Sequence, residues 1–215
     1  MKTSPWTSSK LLHTPTVWKM VISLGVMELL SLGIMTNFMP RMMQIIHNGQ
    51  QVYTQAEVIP MLAMAGLIAC VGSVLCGLLD AKVGPKKAVI ITYFLAIISL
   101  VLNVVGGNIA AGGNKGLGTT LIFASLPFLG IMLGGAANYL VSLTNTIWGR
   151  YDFPAAYRLL KPLVAVVGAI GITICGGVGN SPAGYGMAYT ILAVLAVIGT
   201  VIMFTLDDTQ VGRDL

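Results

Sequence analysis

The segment that decides the fold reads Cys76-Gly77-Leu78-Leu79-Asp80-Ala81-Lys82-Val83-Gly84-Pro85-Lys86-Lys87. It is charged and marked by glycine, whereas Val58 to Leu79 and Ala88 to Asn114 carry no acidic or basic residue. Each uncharged run is long enough to cross a hydrocarbon layer of about 30 Å as a helix. The segment is therefore predicted to be a turn between two membrane spans. Its three lysines indicate on which side of the membrane the turn lies.

The composition of the whole chain agrees with a protein of the lipid bilayer. Of the 215 residues, 56% are hydrophobic and 9% are charged, whereas soluble domains carry about a quarter charged residues. The net charge of +5 comes from basic residues in short segments between apolar runs, so we exclude nucleic-acid binding. The three cysteines lie inside apolar runs without the spacing of a metal site. We predict no metal and no cofactor.

The uncharged runs, read in order, predict an all-α membrane protein with six transmembrane helices. A leader, 1–16, and a tail, 207–215, are expected to be cytoplasmic. The transmembrane bundle, 17–206, contains spans at about 17–39, 58–79, 88–107, 119–147, 162–177 and 186–206. A polar segment, Arg150 to Lys161, separates the fourth and fifth spans, and a glycine-rich stretch, 176–184, separates the last two.

The distribution of basic residues orients these spans. With the N-terminus inside, two basic residues, Arg41 and Lys115, fall outside and ten fall inside. The ten are Lys2, Lys10, Lys19, Lys82, Lys86, Lys87, Arg150, Arg158, Lys161 and Arg213. Because cytoplasmic loops are enriched in lysine and arginine, this bias predicts that both termini are cytoplasmic.

Small residues at helical spacing predict where the helices pack. They are Gly66, Cys70, Ser73 and Gly77 in the second span, Gly130 and Gly134 in the fourth, and Gly168 and Gly171 in the fifth. Such stripes let helix backbones approach each other in lipid. We interpret them as ordinary packing faces; sliding surfaces of a moving transporter are the alternative.

Glu28, at the middle of the first span, is the strongest single indication of function. A charged carboxylate at that depth costs about 2.5–3.5 kcal/mol on the insertion scale. Because we find no lysine or arginine within the apolar cores, we expect no internal cationic partner. Glu28 is then either a proton-coupling or substrate-binding group in a polar cavity, or a protonated acid bonded to a neighbouring helix.

The fourth span carries a polar stripe, Asn138, Ser142 and Asn145, on one face of its helix. In lipid such a face turns toward protein or toward a water-filled path. The stripe therefore either lines a substrate cavity or forms hydrogen bonds between helices, and the sequence leaves both open.

Enzyme motifs give no competing interpretation. We find no G-x-S-x-G, no H-E-x-x-H, no phosphate-binding loop and no dinucleotide fingerprint. His13 and His47 lie in polar segments outside the spans. We therefore do not expect an enzyme.

The turn between the second and third spans resembles the signature loop of the major facilitator superfamily. That pattern is Gly, three residues, Asp, a basic residue, any residue, Gly, and two basic residues. The residues that match in register are Gly77, Lys82, Gly84 and Lys86, and Lys87 extends the basic end. Two positions depart from the pattern: Ala81 stands where aspartate is expected, with Asp80 one residue early, and Pro85 replaces a basic residue.

This degenerate form resembles the second copy of the loop, which lies in the C-terminal half of a twelve-span transporter. The leader, 1–16, then resembles the end of a central linker. The segment from Trp148 to Pro162 is more weakly similar to the oxalate/formate antiporter and monocarboxylate branch. The resemblance covers nearly the whole chain, as one six-helix half with both termini inside and three plus three spans in inverted polarity.

The resemblance implies a secondary active transporter that moves a small solute, with an organic anion as one candidate, by alternating access. Coupling would be to protons or by exchange, as in a symporter or antiporter of the plasma membrane, here a bacterial cytoplasmic membrane. The first and fourth spans would line the cavity, and the signature loop would latch helix ends. Because six helices supply one wall of a central site, the other wall must come from an N-terminal half or a second copy. The alternative is a non-transporting six-span scaffold or assembly subunit.

Overall fold

The computed structural model of the protein describes residues 4–212 and is almost entirely helical. Its elements are α1 (Ser8–Leu12), α2 (Pro15–Met43), β1 (Ile46–His47), β2 (Gln50–Gln51), α3 (Gln55–Val83), α4 (Pro85–Ala111), α5 (Lys115–Gly179) and α6 (Gly184–Phe204). Five of the helices, α2 to α6, are long and apolar enough to cross a membrane. The prediction of an all-α, multi-pass membrane protein is confirmed at this level.

Helix α5 differs from the expectation of two spans joined by a polar segment. It runs for 65 residues, and residues 150–161 are helical. Their Ala, Leu, Arg and Lys content favours helix, which explains why a polar segment is not a loop here. One residue inside α5, Gly149, leaves the helical conformation, with φ 66° and ψ 169°. We call the two parts α5a (115–148) and α5b (150–179).

Helix α5a runs opposite to α4. Ser99 Oγ of α4 donates a hydrogen bond to the Ser125 carbonyl of α5a at 3.0 Å. Further toward the end of α4, a Cβ at Gly106 would lie 2.9 Å from the carbonyl oxygen of Gly118, which comes earlier in α5a. As the contacts move toward the C-terminal end of α4, they move toward the N-terminal end of α5a. The two helices are therefore antiparallel.

Helix α4 in turn runs in the same direction as α2. The Tyr93 hydroxyl of α4 donates a hydrogen bond to the Ser23 carbonyl near the start of α2. At the other end of both helices, the Arg41 guanidinium packs against Gly107. The contact positions therefore advance together along the two helices.

Helix α5b also runs in the same direction as α2, since Gly168 lies against Glu28 and Cys175 lies against Gly33. Because α5a is antiparallel to α4, whereas α4 and α5b are both parallel to α2, α5a and α5b run in opposite directions. The chain therefore reverses at Gly149, whose positive φ is a conformation that glycine adopts without a steric penalty. Helix α3 runs parallel to α5a, since Ile68 lies against Gly130 and Ser73 against Gly134, and α6 runs opposite to α2, since Ser23 bonds to Gly199 and Tyr189 to Ile34. The six long segments therefore alternate in direction.

One end of the bundle, the lysine-rich end, gathers most of the cations. There Lys19 Nζ donates to the Thr205 carbonyl at 2.7 Å and Lys86 Nζ donates to the Leu206 carbonyl at 2.5 Å, at the C-terminal end of α6. The C-terminal tail crosses this end, with the Val211 amide donating to the Ile147 carbonyl at 2.7 Å. Lys2 and Arg213 lie outside the described residues, whereas Arg41 and Lys115 lie at the opposite end, the Arg41 end.

Candidate functional site

Three polar side chains of α5a lie on an open side of the bundle. Asn138, Ser142 and Asn145 line a cleft of about 450 Å³ together with Val141 and Phe153. The two asparagines are exposed and the serine is partly exposed. The stripe that the sequence places on one helix face therefore borders open space rather than the core of the bundle.

Asn138 also bonds to a neighbouring helix. Its Nδ2 donates to Ser73 Oγ of α3 at 2.8 Å and to the Gly134 carbonyl of its own helix at 3.3 Å. No side-chain hydrogen bond of Asn145 is found within residues 4–212. Asn138 therefore forms a hydrogen bond between helices, as one of the two interpretations expects, and Asn145 borders the cleft, where a substrate cavity stays a prediction.

Glu28 has a cationic partner, so the expectation that none was available is wrong. Lys161 Nζ lies 3.6 Å from Glu28 Oε1. The error came from treating residues 150–161 as a polar linker, whereas α5b is helical there and carries Lys161 alongside α2. Lys161 is the functional candidate that the sequence analysis missed as part of this site.

The position of the pair is fixed by the two helices that carry it. Lys161 lies about 17 Å along α5b from Arg150, at about 1.5 Å per residue. Two turns beyond Lys161, a Cβ at Gly168 would come 2.8 Å from Glu28 Cγ, so glycine is what leaves room for the acidic side chain. The pair therefore lies several turns from the lysine-rich end.

A ridge of α5b connects the ion pair to the polar cleft. Phe153, which lines the cleft, is followed at intervals of four residues by Tyr157 and Lys161, and residues four apart form a continuous ridge on a helix. The rings of Phe153 and Tyr157 stack with centroids 5.1 Å apart. The asparagine stripe, the two rings and the Glu28–Lys161 pair therefore follow one another around one side of the bundle, which we call the polar side.

The remaining outer surface is strongly apolar. Leu67 on α3, Val166 on α5b and Val194 on α6 are each more than half exposed. The side chains of Glu28 and Lys161 are 23% and 43% exposed, so the pair is not sealed in the core. Charges at membrane depth face a cavity or another protein surface rather than lipid. The polar side is therefore the side of the bundle that is unsuited to hydrocarbon.

The turn from Gly77 to Lys87 contacts a neighbouring helix end through a lysine. Gly84 has φ 86°, a conformation that favours glycine, and its amide donates to the Asp80 carbonyl at 2.9 Å. Lys86 then reaches the Leu206 carbonyl, and its Nζ lies 3.6 Å from Asp208 Oδ1. Lys82 and Lys87 are exposed. Lys86 therefore makes the contact between this turn and the C-terminal end of α6.

Four of the predicted packing residues lie at close helix contacts. A Cβ at Gly130 would overlap Ile68 of α3, and one at Gly134 would overlap the backbone of Ser73. Gly168 lies against Glu28, and a Cβ at Gly171 would overlap the Leu29 carbonyl of α2. These glycines allow α5 to approach α3 and α2 at backbone distance.

Of the stripe predicted on α3, Ser73 lies at a close helix contact, where it packs against Gly134 and accepts a hydrogen bond from Asn138, whereas the other members do not. Gly66 and Gly77 have open space where a Cβ would stand, and Cys70 is exposed. Among the small residues of this helix, Gly72 makes a close approach to α5a, where a Cβ would lie 2.7 Å from the Gly130 carbonyl, and Cys76 is buried. The physical reason is that α3 carries small residues on two sides, and spacing alone does not say which side is covered.

Within residues 4–212, no group of three histidine, cysteine or acidic side chains could hold a metal ion. Comparison of the sequence with models of protein families finds no match, and comparison with curated proteins finds no significant relative.

Proposed function

We propose that this chain is one six-helix half of a secondary active transporter that moves a small solute across a membrane by alternating access. The observation that carries the proposal is the Glu28–Lys161 ion pair, partly exposed on helices that are otherwise apolar. Such a pair needs water or a second protein surface beside it, and a solute pathway between two helix bundles supplies both.

The same proposal includes six crossings with both termini on the cytoplasmic side. Its support is the alternating direction of α2, α3, α4, α5a, α5b and α6, together with the crowding of cations at the lysine-rich end. This arrangement agrees with the resemblance of the loop from Gly77 to Lys87 to the major facilitator signature. The partner is then a second six-helix bundle, either an N-terminal half or another copy, placed against the polar side.

The chemistry of the pair favours an anionic solute coupled to proton movement. While Glu28 is ionised, it competes with any anion for Lys161. Protonation of Glu28 removes this competition and leaves the ammonium group as a partner for a carboxylate of the solute. Release of the proton would restore the internal pair and expel the anion. Asn145, exposed in the cleft on the same side, would offer a hydrogen bond to a solute that enters through this cleft.

Uptake into proteoliposomes tests this function. The full chain, alone and together with a second six-helix half, is assayed with organic anions, amino acids and sugars under an imposed pH gradient. We expect accumulation of an organic anion that Glu28→Gln abolishes, while counterflow exchange persists. The matched control is Glu57→Gln, because Glu57 is bound to Lys115 at the Arg41 end and lies away from the polar side.

A non-transporting scaffold is the second candidate. The hydrogen bond from Asn138 to Ser73 favours it, because this part of the polar stripe joins two helices. In a scaffold the Glu28–Lys161 pair would serve only to join α2 and α5b. Glu28→Gln combined with Lys161→Gln would then leave assembly and every transport readout unchanged.

A further inference from the structure

Arg41, in the last turn of α2, carries a buried charge without an anionic partner. Its side chain is 5% exposed, and neither Nε nor Nη2 has a hydrogen-bond partner within residues 4–212. None of the three salt bridges of the described chain includes it. An ionised guanidinium held away from water without a counter-charge is strongly unfavourable.

The surroundings of Arg41 are neutral. Its guanidinium carbon lies 5.5 Å from the centre of the Tyr189 ring, and Nη2 packs against Gly107, where a Cβ would overlap it. Glu57, the acidic residue at this end of the bundle, is already bound to Lys115 with an N–O distance of 2.7 Å. Residues 4–212 therefore do not supply the missing negative charge.

A second source of positive potential faces the same space. Helix α6 begins at Gly184, and the amides of the first turn of a helix have no partner within the helix. Arg41 Nη1 lies 3.7 Å from the point where a Cβ at Gly186 would stand. A pocket of about 250 Å³ is lined by Arg41, Gln44, Asn108 and the turn from Gly184 to Gly186.

Gln44 holds this pocket in shape. Its Nε2 donates to the Gly179 carbonyl at the end of α5b at 3.1 Å, and its Oε1 accepts from the Tyr185 amide at 3.4 Å. The last turn of α2 is thus fixed to the start of α6, and Arg41 is fixed beside it.

We infer that Arg41 and the first turn of α6 form a binding site for a small oxyanion, carrying a carboxylate or phosphate group, at the Arg41 end of the bundle. The Gly184 amide already donates to the Ser181 carbonyl and the Tyr185 amide to Gln44, whereas no hydrogen bond of the Gly186 amide is found within residues 4–212. An oxyanion would accept hydrogen bonds from the guanidinium and the Gly186 amide, and the positive N-terminal end of α6 would further favour its negative charge. The site is separate from the Glu28–Lys161 pair and does not depend on transport. The oxyanion is either a free ion or the headgroup phosphate of a lipid.

Thermal unfolding of the purified full chain in an uncharged detergent tests the site. Sodium phosphate and sodium acetate are titrated separately at constant ionic strength. We expect a saturable rise in Tm for the wild type and for Lys115→Gln, which removes the other cation at this end, but no rise for Arg41→Gln. A rise of equal size in the wild type and in Arg41→Gln would overturn the proposal. The absence of a rise in both excludes the free ion and leaves a lipid headgroup, which nanodiscs test. If Arg41→Gln does not fold, Gly186→Val keeps the cation, fills the space beside Nη1, and should likewise lose the response.

Nanodiscs distinguish the two sources of the oxyanion. The wild type and the variant are compared in phosphatidylcholine alone and with phosphatidylglycerol added. A Tm rise that requires both phosphatidylglycerol and Arg41, without an effect of soluble anions, identifies a lipid headgroup as the ligand. An effect of soluble anions in phosphatidylcholine identifies a free ion. No Arg41-dependent effect in either arm overturns the site.

Discussion

Lys161 and Glu28 stand on parallel helices, and the lysine Nζ lies 3.6 Å from the carboxylate Oε1. Each residue lowers the free-energy cost of the other in a bilayer, because an ion pair costs less there than either charge alone. The ion pair lies between α2, the helix that follows the leader, and α5b, the helix that follows the reversal at Gly149. Any movement of α5b relative to α2 changes this distance.

The first prediction concerns the stability of this pair. Lys161→Gln leaves Glu28 without its cation and should lower the Tm of the purified protein, whereas Glu28→Gln with Lys161→Gln should recover most of the loss. Arg158→Gln is the control, since it removes a nearby cation of the same helix. A double variant that is no more stable than Lys161→Gln would contradict a direct interaction.

The second prediction concerns Asn145 and Asn138. Asn145→Ala should reduce solute uptake and leave the Tm unchanged, because the side chain is exposed in the cleft and makes no hydrogen bond to the described chain. Asn138→Ala should lower the Tm, because it removes the bond to Ser73 Oγ. Uptake assays and thermal unfolding of both variants separate these roles. Identical behaviour of the two variants would count against the division.

The third prediction concerns the turn from Gly77 to Lys87. Gly84→Ala should destabilise the protein by about 1–3 kcal/mol, because Gly84 has φ 86° and ψ 156°, a backbone conformation that is strained for a residue with a side chain. Gly77→Ala is the matched control: Gly77 is helical and has open space around it, so the change should be neutral or slightly stabilising. Comparable losses for both variants would show that backbone conformation is not the cause.

The fourth prediction concerns helix packing. Gly134→Ala should destabilise the contact between α5a and α3, because the new Cβ would overlap the backbone of Ser73. Gly66→Ala should have no such effect, since nothing lies within 4 Å of its Cβ position. Thermal unfolding measures both. Loss of stability in Gly66→Ala alone would mean that α3 is rotated about its axis relative to this structure.

The fifth prediction tests orientation. In a variant whose native cysteines are replaced by serine, Lys87→Cys should react with a membrane-impermeant maleimide only after the cells are opened. Asn48→Cys, in the β-hairpin at the Arg41 end, should react in intact cells. The reverse pattern of labelling would place the lysine-rich end outside and reject the proposed topology.

The sequence allows the helical, membrane-spanning character of the chain to be predicted because uncharged runs of this length have few alternatives. It does not reveal the partner of Glu28. Counting charges treats residues 150–161 as a linker, although their composition favours helix, and only three-dimensional structure brings Lys161 beside α2. The hairpin from Ile46 to Gln51 was also missed, although Asn48-Gly49 is a strong two-residue turn signal. On α3, spacing identified small residues but not the side that α5a covers.

Lys19 of α2 and Lys86 of α4 both donate hydrogen bonds to backbone carbonyls at the C-terminal end of α6. These hydrogen bonds link α2, α4 and α6 at the lysine-rich end, so that a tilt of one helix also moves the other two. Helix α3, by contrast, is the least buried of the long helices. If the bundle changes shape, these three helices would therefore move together, and the deformation would fall on α3 and on the reversal at Gly149.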